Sequence, residues 1–368
     1  MSTPTPTWPD LTSALLRRED LAPAAASWAM DAVMTGDVSP VTLAGFLVAL
    51  RAKGETAAEV VGLVESMLAH AQRVTIPAGL GPGVDTCGTG GDRSHTVNIS
   101  TMAAVVAAGA GVLVVKHGNR AASSTAGSAD VLEALGVVID LPAAGVEECL
   151  RRVGIGFCFA PNFHPGVRHA AVARRELGVG TVFNVLGPLA NPASPGAQAV
   201  GCYDRTLAAV MAQALLTRGI KALVVRGEDG LDELSTAAPS RVWDSTGNVV
   251  VEQVIDALDL GIARVEPDAL RGEDAAYNAA IAAAVLSGDR SGRLGAVADA
   301  VLLNAAAALV AHDAASGAPG TDSLGDRLSG GLGRAREAID SGAARDVLAR
   351  WVQVGAEVSG RGRTGPGA

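Results

Sequence analysis

Asp85-Thr86-Cys87-Gly88-Thr89-Gly90-Gly91-Asp92, closing with Asn98-Ile99-Ser100-Thr101, and Lys116-His117-Gly118-Asn119-Arg120-Ala121-Ala122-Ser123-Ser124, closing with Gly127-Ser128, are two glycine-rich loops. Each follows a strand-like run and each opens a helix. Glycines let backbone N–H groups approach a bound anion, and Ser, Thr and Asn at a helix start cap it while leaving further N–H groups aimed outward. That is a phosphate cradle, built twice. Between the loops, 102–109 reads as an alanine- and valine-rich helix and 112–115 as a short buried strand. Both loops are therefore expected at one edge of a parallel sheet, where adjacent cradles suit a ligand with two phosphate groups. Arg93, Lys116 and Arg120 crowd into this stretch of an otherwise acidic chain. A lone glycine-rich turn is commonly just a turn; two dense ones with hydroxyls and cations favour a ligand.

The 368 residues allow about two domains, or one large α/β unit with an appendage. Hydrophobic residues make up 49% and aromatic residues only 3%, so the core is built from Ala, Val and Leu. A net charge of −9 disfavours nucleic acid and anionic membranes as partners, since either needs a broad basic face. The four cysteines, Cys87, Cys149, Cys158 and Cys202, have no metal-like spacing and read as free thiols in a reducing compartment. Cys87 sits inside the first loop, where it is either a reactive thiol or a small packing residue. The N-terminal stretch lacks a signal-peptide pattern, and the apolar run 102–115 is too short to span a bilayer. The protein is expected to be cytoplasmic.

Residues 1–9 are expected to be a disordered Pro/Thr leader, and 10–73 a small all-α domain of four helices broken near 20–23, 36–40 and 53–56. Thr56 with Glu59 fits a capping box. The stripes Leu43, Phe46, Leu47, Leu50 and Val60, Val61, Val64, Met67, Leu68 exceed what four short helices can bury among themselves. They are expected at an interface, on the following domain, or both. Residues 74–83, rich in Pro and Gly, read as a linker. The α/β domain is expected over 84–358, with strands at 137–139, 155–159, 198–203 and 222–225, a helix at 144–153, and a helix over 167–178 near the hinge and the substrate site. The stretch 180–192 fits neither period. Edge strands are expected within 241–257, closing helices at 295–313 and 332–358, and a disordered tail at 359–368. Asn304, polar within an apolar face, is expected to cap or pack. The fold class is thus α/β, with a small N-terminal all-α domain and a large domain on a mainly parallel sheet flanked by helices.

Glu228, Asp229, Asp232 and Glu233 put four carboxylates within six residues after the strand at 222–225, and they repel unless solvent or a cation screens them. An acidic turn is ordinarily just solvated. Beside a diphosphate cradle the reading shifts to Mg²⁺, which is typically held by one or two carboxylates plus substrate phosphates.

The 85–92 and 98–101 blocks, and Lys116-His117-Gly118-Asn119-Arg120 followed by Gly127-Ser128-Ala129-Asp130-Val131-Leu132-Glu133, closely resemble the anthranilate phosphoribosyltransferases of tryptophan biosynthesis. The resemblance runs from about residue 11 to 358 and is weakest over 255–330. It implies Mg²⁺-dependent transfer of a phosphoribosyl group from phosphoribosyl pyrophosphate to anthranilate, with two ions per subunit held at Ser100, Asp232 and Glu233. The donor site it implies is Gly88, Gly91, Asp92, Thr96, Asn98, Ile99, Ser100, Thr101, Lys116, His117, Gly118, Asn119, Arg120, Ala121, Ala122, Ser123, Ser124 and Ser128. For anthranilate it implies Gly88, Asn119, Arg174, His164 and Pro188, with the Arg174 guanidinium matched to the carboxylate. His117 is a candidate proton acceptor or a packing residue. Residues 46–56 also resemble the family's small domain, which implies a homodimer through that domain. Gly180 stands where many relatives carry Arg, which leaves no contact for that side chain here. A pyrimidine nucleoside phosphorylase and a nucleic-acid-binding paralogue share the architecture; the first would not need the Asp-Glu metal site, and the second would need a basic groove.

Overall fold

The computed structural model describes residues 5–121, 125–318 and 322–360. Prolines in the first turn and hydroxyls at the caps start the N-terminal helices: α1 (Trp8–Leu16, capped by Thr7), α2 (Pro23–Thr35), α3 (Pro40–Lys53, capped by Ser39) and α4 (Ala57–Ala69, capped by Thr56). The capping box forms, and Glu59, fully buried, also accepts from Leu21 N and from Lys53 Nζ at 2.9 Å. The leader expected to reach residue 9 is helical from Trp8, because its ring packs 5.4 Å from both Trp28 and Phe46 and anchors the first turn. The apolar stripes of α3 and α4 are buried within the chain, in one cluster with Phe183, Leu186, Leu207, Met211 and Leu215 of the large domain. Leu16, Val41 and Val48 remain exposed. Arg51 of α3 pairs with Asp204 at 2.6 Å and fastens the two parts together.

The large domain runs β1 (Val84–Gly88), α5 (Ile99–Gly109), β2 (Val114–Gly118), α6 (Ser128–Ala134), α7 (Ala143–Val153), β3 (Ile155–Phe159), α8 (Ala160–Phe163), α9 (Ala171–Leu177), α10 (Phe183–Leu189), β4 (Ala197–Gly201), α11 (Arg205–Thr217), β5 (Lys221–Gly227), β6 (Ser240–Asp244) and β7 (Val251–Ile255), then α12 (Ala275–Leu286), α13 (Leu294–Ala315), α14 (Leu324–Asp340) and α15 (Ala343–Val358). The sheet has seven strands in the order β3-β2-β1-β4-β5-β6-β7, parallel up to β5 and antiparallel beyond. This is the expected helical domain followed by a mainly parallel sheet. β1 and β4 flank the point where the strand order reverses, the place where open α/β sheets bind ligands at the carboxyl ends of their strands.

Several expectations are corrected. Residues 137–139 form no strand; they are buried beneath α15, whose Gly355 lies against Val138. The helix expected over 167–178 is a 3₁₀ turn (Pro165–Ala170) followed by α9, and Gly166 in the turn packs closely on the Met34 carbonyl. The segment that fitted neither period contains α10, which carries Pro188 inside its last turn. The single closing helix expected over 332–358 is two helices, broken at Ser341 and Gly342, where the Gly109 backbone packs on Ala344. α12 had no counterpart in the sequence reading. α13 is longer than the apolar run 102–115 and apolar enough to cross a bilayer, but it is mostly buried and packs on α5, α14, β4 and β5. Of the expected tail, only Ser359 and Gly360 lie among the described residues.

Candidate active site

The site begins with a gap in the sheet. β1 pairs with β4 along its whole length, from Val84 with Ala197 to Gly88 with Gly201, and β2 pairs likewise with β3. Between β1 and β2 the ladder holds only Val84 with Val114. Beyond that pair, side chains bridge the strands. Asp85, fully buried, accepts from His117 N at 3.0 Å and from Asn191 Nδ2 at 2.9 Å, while Lys116 Nζ donates to the Thr86 carbonyl. Burial pushes the Asp85 carboxyl up, and Lys116, Asn191 and the His117 amide oppose that push. Parted in this way, the two strands deliver their loops side by side.

A cavity of about 320 Å³ lies between the loops. Gly88, Gly91, Asp92, Thr96, Asn98, Ile99, Ser100, Thr101, Lys116, His117, Gly118, Asn119, Arg120, Ala121, Ser128, Asp232 and Glu233 all line it. The acidic turn is drawn in from β5. Asp232 Oδ2 accepts from Gly90 N at 2.7 Å, Glu233 Oε1 accepts from Ser100 N at 3.1 Å, and Asp92 Oδ2 accepts from Asp232 N at 3.4 Å. Asn304 of α13 fixes the base of the turn, accepting from Leu234 N and donating to its carbonyl. A Cβ on Gly201 would stand 1.5 Å from the Asp232 carbonyl oxygen, so only glycine at the end of β4 lets the turn approach this closely. Burial, with Asp92 and Glu233 adding like charge, raises Asp232; burial also raises Glu233, against the pull of Lys116. The other two carboxylates stay outside, Glu228 on Arg241 and Asp229 on the Ser235 hydroxyl.

A second, more apolar cavity of about 650 Å³ shares with the first a wall of Cys87, Gly88, Thr89, Gly91, His117, Gly118 and Asn119. His164, Arg174, Phe183 and Pro188 line its far side, and Met67 reaches it from α4. Arg174 lies over the Phe183 ring at 5.1 Å, has no carboxylate partner among the described residues, and has its proton affinity lowered by burial. His117 Nδ1 meets the Gly187 carbonyl at 3.0 Å and His164 Nε2 the Ala190 carbonyl at 2.7 Å, so both neutral rings donate there and keep the other nitrogen as an acceptor. Burial, with His164 close by, lowers the His117 pKa to about 3. That favours a hydrogen-bond acceptor over a proton acceptor.

The description "Glycosyl transferase family, a/b domain" matches residues 80–345, and "Glycosyl transferase family, helical bundle domain" matches residues 9–71. An anthranilate phosphoribosyltransferase of Salinispora arenicola is 56% identical over 349 residues, covering 95% of this chain and 96% of the relative. The chain belongs to the anthranilate phosphoribosyltransferase family. The crystal structure of the Thermus thermophilus anthranilate phosphoribosyltransferase superposes with a TM-score of 0.84 at 41% identity, covering 94% of this chain and 99% of that one. The Saccharomyces cerevisiae anthranilate phosphoribosyltransferase in complex with PRPP and Mg superposes with a TM-score of 0.82 at 28% identity, covering 95% and 98%. This chain is therefore a transferase of the glycosyltransferase class.

Against the anthranilate phosphoribosyltransferase pattern, the described residues expected at the donor and metal sites surround the first cavity, and those expected for anthranilate surround the second. Ala122, Ser123 and Ser124 lie outside the described residues. Arg120 is shared with Asp130 and Glu133 at 2.8 and 2.9 Å, and Lys116 is 1% exposed, so both lend their charge mainly to protein groups. Gly180 does not reach the second cavity; a Cβ there would meet the Tyr203 hydroxyl at 3.3 Å. Asp85 stood in the first quoted loop and Asn191 in the stretch 180–192, but neither had an assigned part. Met67 stood in a stripe expected at an interface or on the following domain, and Phe183 in the stretch 180–192 that fitted neither period. For Mg²⁺ the donor set fits: hard carboxylate oxygens with raised proton affinity face a polar cavity beside Ser100. Among the described residues no three His, Cys, Asp or Glu side chains form a cage, so an ion here would complete its shell from water and ligand oxygens.

The depressed His117 pKa has a signed consequence. The unfolded chain takes up a proton near pH 6.5 that the folded chain refuses, so stability falls as pH drops below that value. His117→Gln is expected to lose less stability than the parent between pH 6.5 and pH 5, by about 1–2 kcal/mol in urea unfolding. Equal losses in both proteins would contradict the buried neutral ring.

Proposed function

We propose that this protein transfers the 5-phosphoribosyl group from phosphoribosyl pyrophosphate to the amino nitrogen of anthranilate, in the synthesis of tryptophan. The observation that carries this reading is the wall shared by the two cavities. A phosphorylated donor in the polar cavity and a flat aromatic acid in the apolar one meet across Gly88 and His117–Asn119. The C1–N bond forms as the bond from C1 to the diphosphate oxygen breaks, through an oxocarbenium-like centre. Charge accumulates on the leaving diphosphate, so the backbone N–H groups of the loops and the hydroxyls of Ser100 and Ser128, in the first turns of α5 and α6, matter more than a strong base. Bound Mg²⁺, two ions per subunit, would offset that charge from Asp232, Glu233 and Ser100. The half-buried Arg174 guanidinium supplies the counter-charge for the anthranilate carboxylate, stacked in place by Phe183. His117 Nε2, a neutral acceptor, orients the amine. The exposed Leu16, Val41 and Val48 support a homodimer through the helical domain, and the four buried free thiols fit the cytoplasm.

Purified protein with Mg²⁺, phosphoribosyl pyrophosphate and anthranilate is expected to consume anthranilate fluorescence and release pyrophosphate, with no turnover once the metal is chelated. Metal-independent phosphorolysis of thymidine or uridine, without use of anthranilate, would leave the fold standing and overturn the function.

Arg174→Ala is expected to raise the KM for anthranilate about tenfold to a hundredfold while leaving the donor KM nearly unchanged, because one charge-assisted contact is lost on one side only. Steady-state titration of each substrate checks this. Equal losses for both would show that Arg174 holds the fold and not the acceptor.

A further inference from the structure

The first phosphate loop is held from a part of the chain that carries no recognised site residue. Residues 93–97 leave regular geometry, with Arg93 and His95 at φ 59° and 51°, and are strapped by 270–272: Val97 N donates to the Leu270 carbonyl at 2.9 Å and Gly272 N to the His95 carbonyl at 2.7 Å. Arg293 at the head of α13 pins the strap, donating to the Ala269 and Arg271 carbonyls and to the Tyr277 hydroxyl. Asn278 of α12 reaches through it. Its side chain is 2% exposed; Oδ1 accepts from Glu273 N at 2.9 Å, and Nδ2 donates to Asn98 Oδ1 at 3.0 Å. Asn98 stands at the cap position of α5 without capping it. Its Nδ2 instead donates across to the Ala126 carbonyl at 3.0 Å, in the second phosphate loop. One buried relay, Asn278 to Asn98 to Ala126, therefore joins α12 to both loops.

We propose that Asn278 is a positioning residue of the donor site, which through Asn98 fixes the spacing of the two phosphate loops; this rests on the phosphoribosyl-donor reading above. An amide suits the relay because it accepts on one side and donates on the other, and a primary amide at Asn98 then has one orientation that satisfies both neighbours. Gly272 belongs to the same device: a Cβ there would lie 2.7 Å from Asn278 Oδ1 and 2.9 Å from the Thr96 carbonyl oxygen.

The test compares the full-length parent with Asn278→Ala and Asn278→Asp, the latter keeping the acceptor for Glu273 N but losing the donor to Asn98. Both are expected to raise the KM for phosphoribosyl pyrophosphate about tenfold and to leave the anthranilate KM within about twofold, the size of one lost buried hydrogen bond. Amide hydrogen exchange over 97–101 and 126–128 is expected to quicken without any ligand. In an Asn98→Ala background, Asn278→Ala is expected to add less than about twofold, because the pair acts as one unit. Equal rises in both KM values, full additivity, or unchanged exchange would overturn the proposal. Should Asn278→Ala fail to fold, Gly272→Ala is expected to give the same split, with the same contrary outcomes. A parent that does not bind phosphoribosyl pyrophosphate with Mg²⁺ by calorimetry would count against the functional reading, while the exchange comparison still decides the relay.

Discussion

Everything at this site depends on β1 and β2 parting after a single backbone pair. A parallel sheet gains by continuing its ladder, so the separation needs groups that use the hydrogen bonds left over. Asp85 and Lys116 meet that need from opposite strands, one accepting the His117 amide and the other donating to the Thr86 carbonyl. Asn191, from the segment after α10, closes the gap by bonding both Asp85 and the Val115 carbonyl. A carboxylate, an ammonium and an amide thus replace a stretch of sheet. The result is a cleft with backbone N–H groups on both sides, one strand away from the β1–β4 point where strand order reverses.

Charge is distributed unevenly around that cleft. Asp85 is buried with its compensating donors. Asp232 and Glu233 are half-buried with too few, and Arg174 is half-buried with none of opposite sign among the described residues. Burying a charge without a partner opposes folding, and such groups persist where a ligand supplies the missing charge. The polar cavity is short of positive charge and the apolar cavity short of negative charge. A magnesium-bound diphosphate and an aromatic carboxylate correct each deficit separately, and the shared wall at Gly88 and His117–Asn119 brings the two ligands together.

The strong local signals were legible: glycine loops between buried strands, proline and hydroxyl starts of the N-terminal helices, and the period change from helical domain to sheet. They led to the fold class and to the two loops, while the individual residues named at the two cavities came from the family resemblance. Long-range features were not legible. The parting of β1 from β2 depends on Asn191, remote in sequence, and Asn278 looks like any polar residue on an alanine-rich helix. Residues 137–139 have strand composition but sit under α15, where the ladder has no place for them. α10 was obscured by Pro188, which stands one residue from its end and whose carbonyl accepts from Gln198 Nε2 and the Cys87 thiol. Trp8 was read with the leader because its aromatic partners, Trp28 and Phe46, lie on other helices.

The central claim is that the donor's diphosphate lies in the cleft between the parted strands, tied to the acidic turn through metal. A crystal structure of the protein with phosphoribosyl pyrophosphate and Mg²⁺ tests it most directly. The account predicts diphosphate oxygens on the backbone N–H groups of 88–91 and on the Ser100 and Ser128 hydroxyls, metal at Asp232 and Glu233, and the cavity beside Arg174 left open. A diphosphate seated against Arg174, or metal bound away from Asp232 and Glu233, would contradict it.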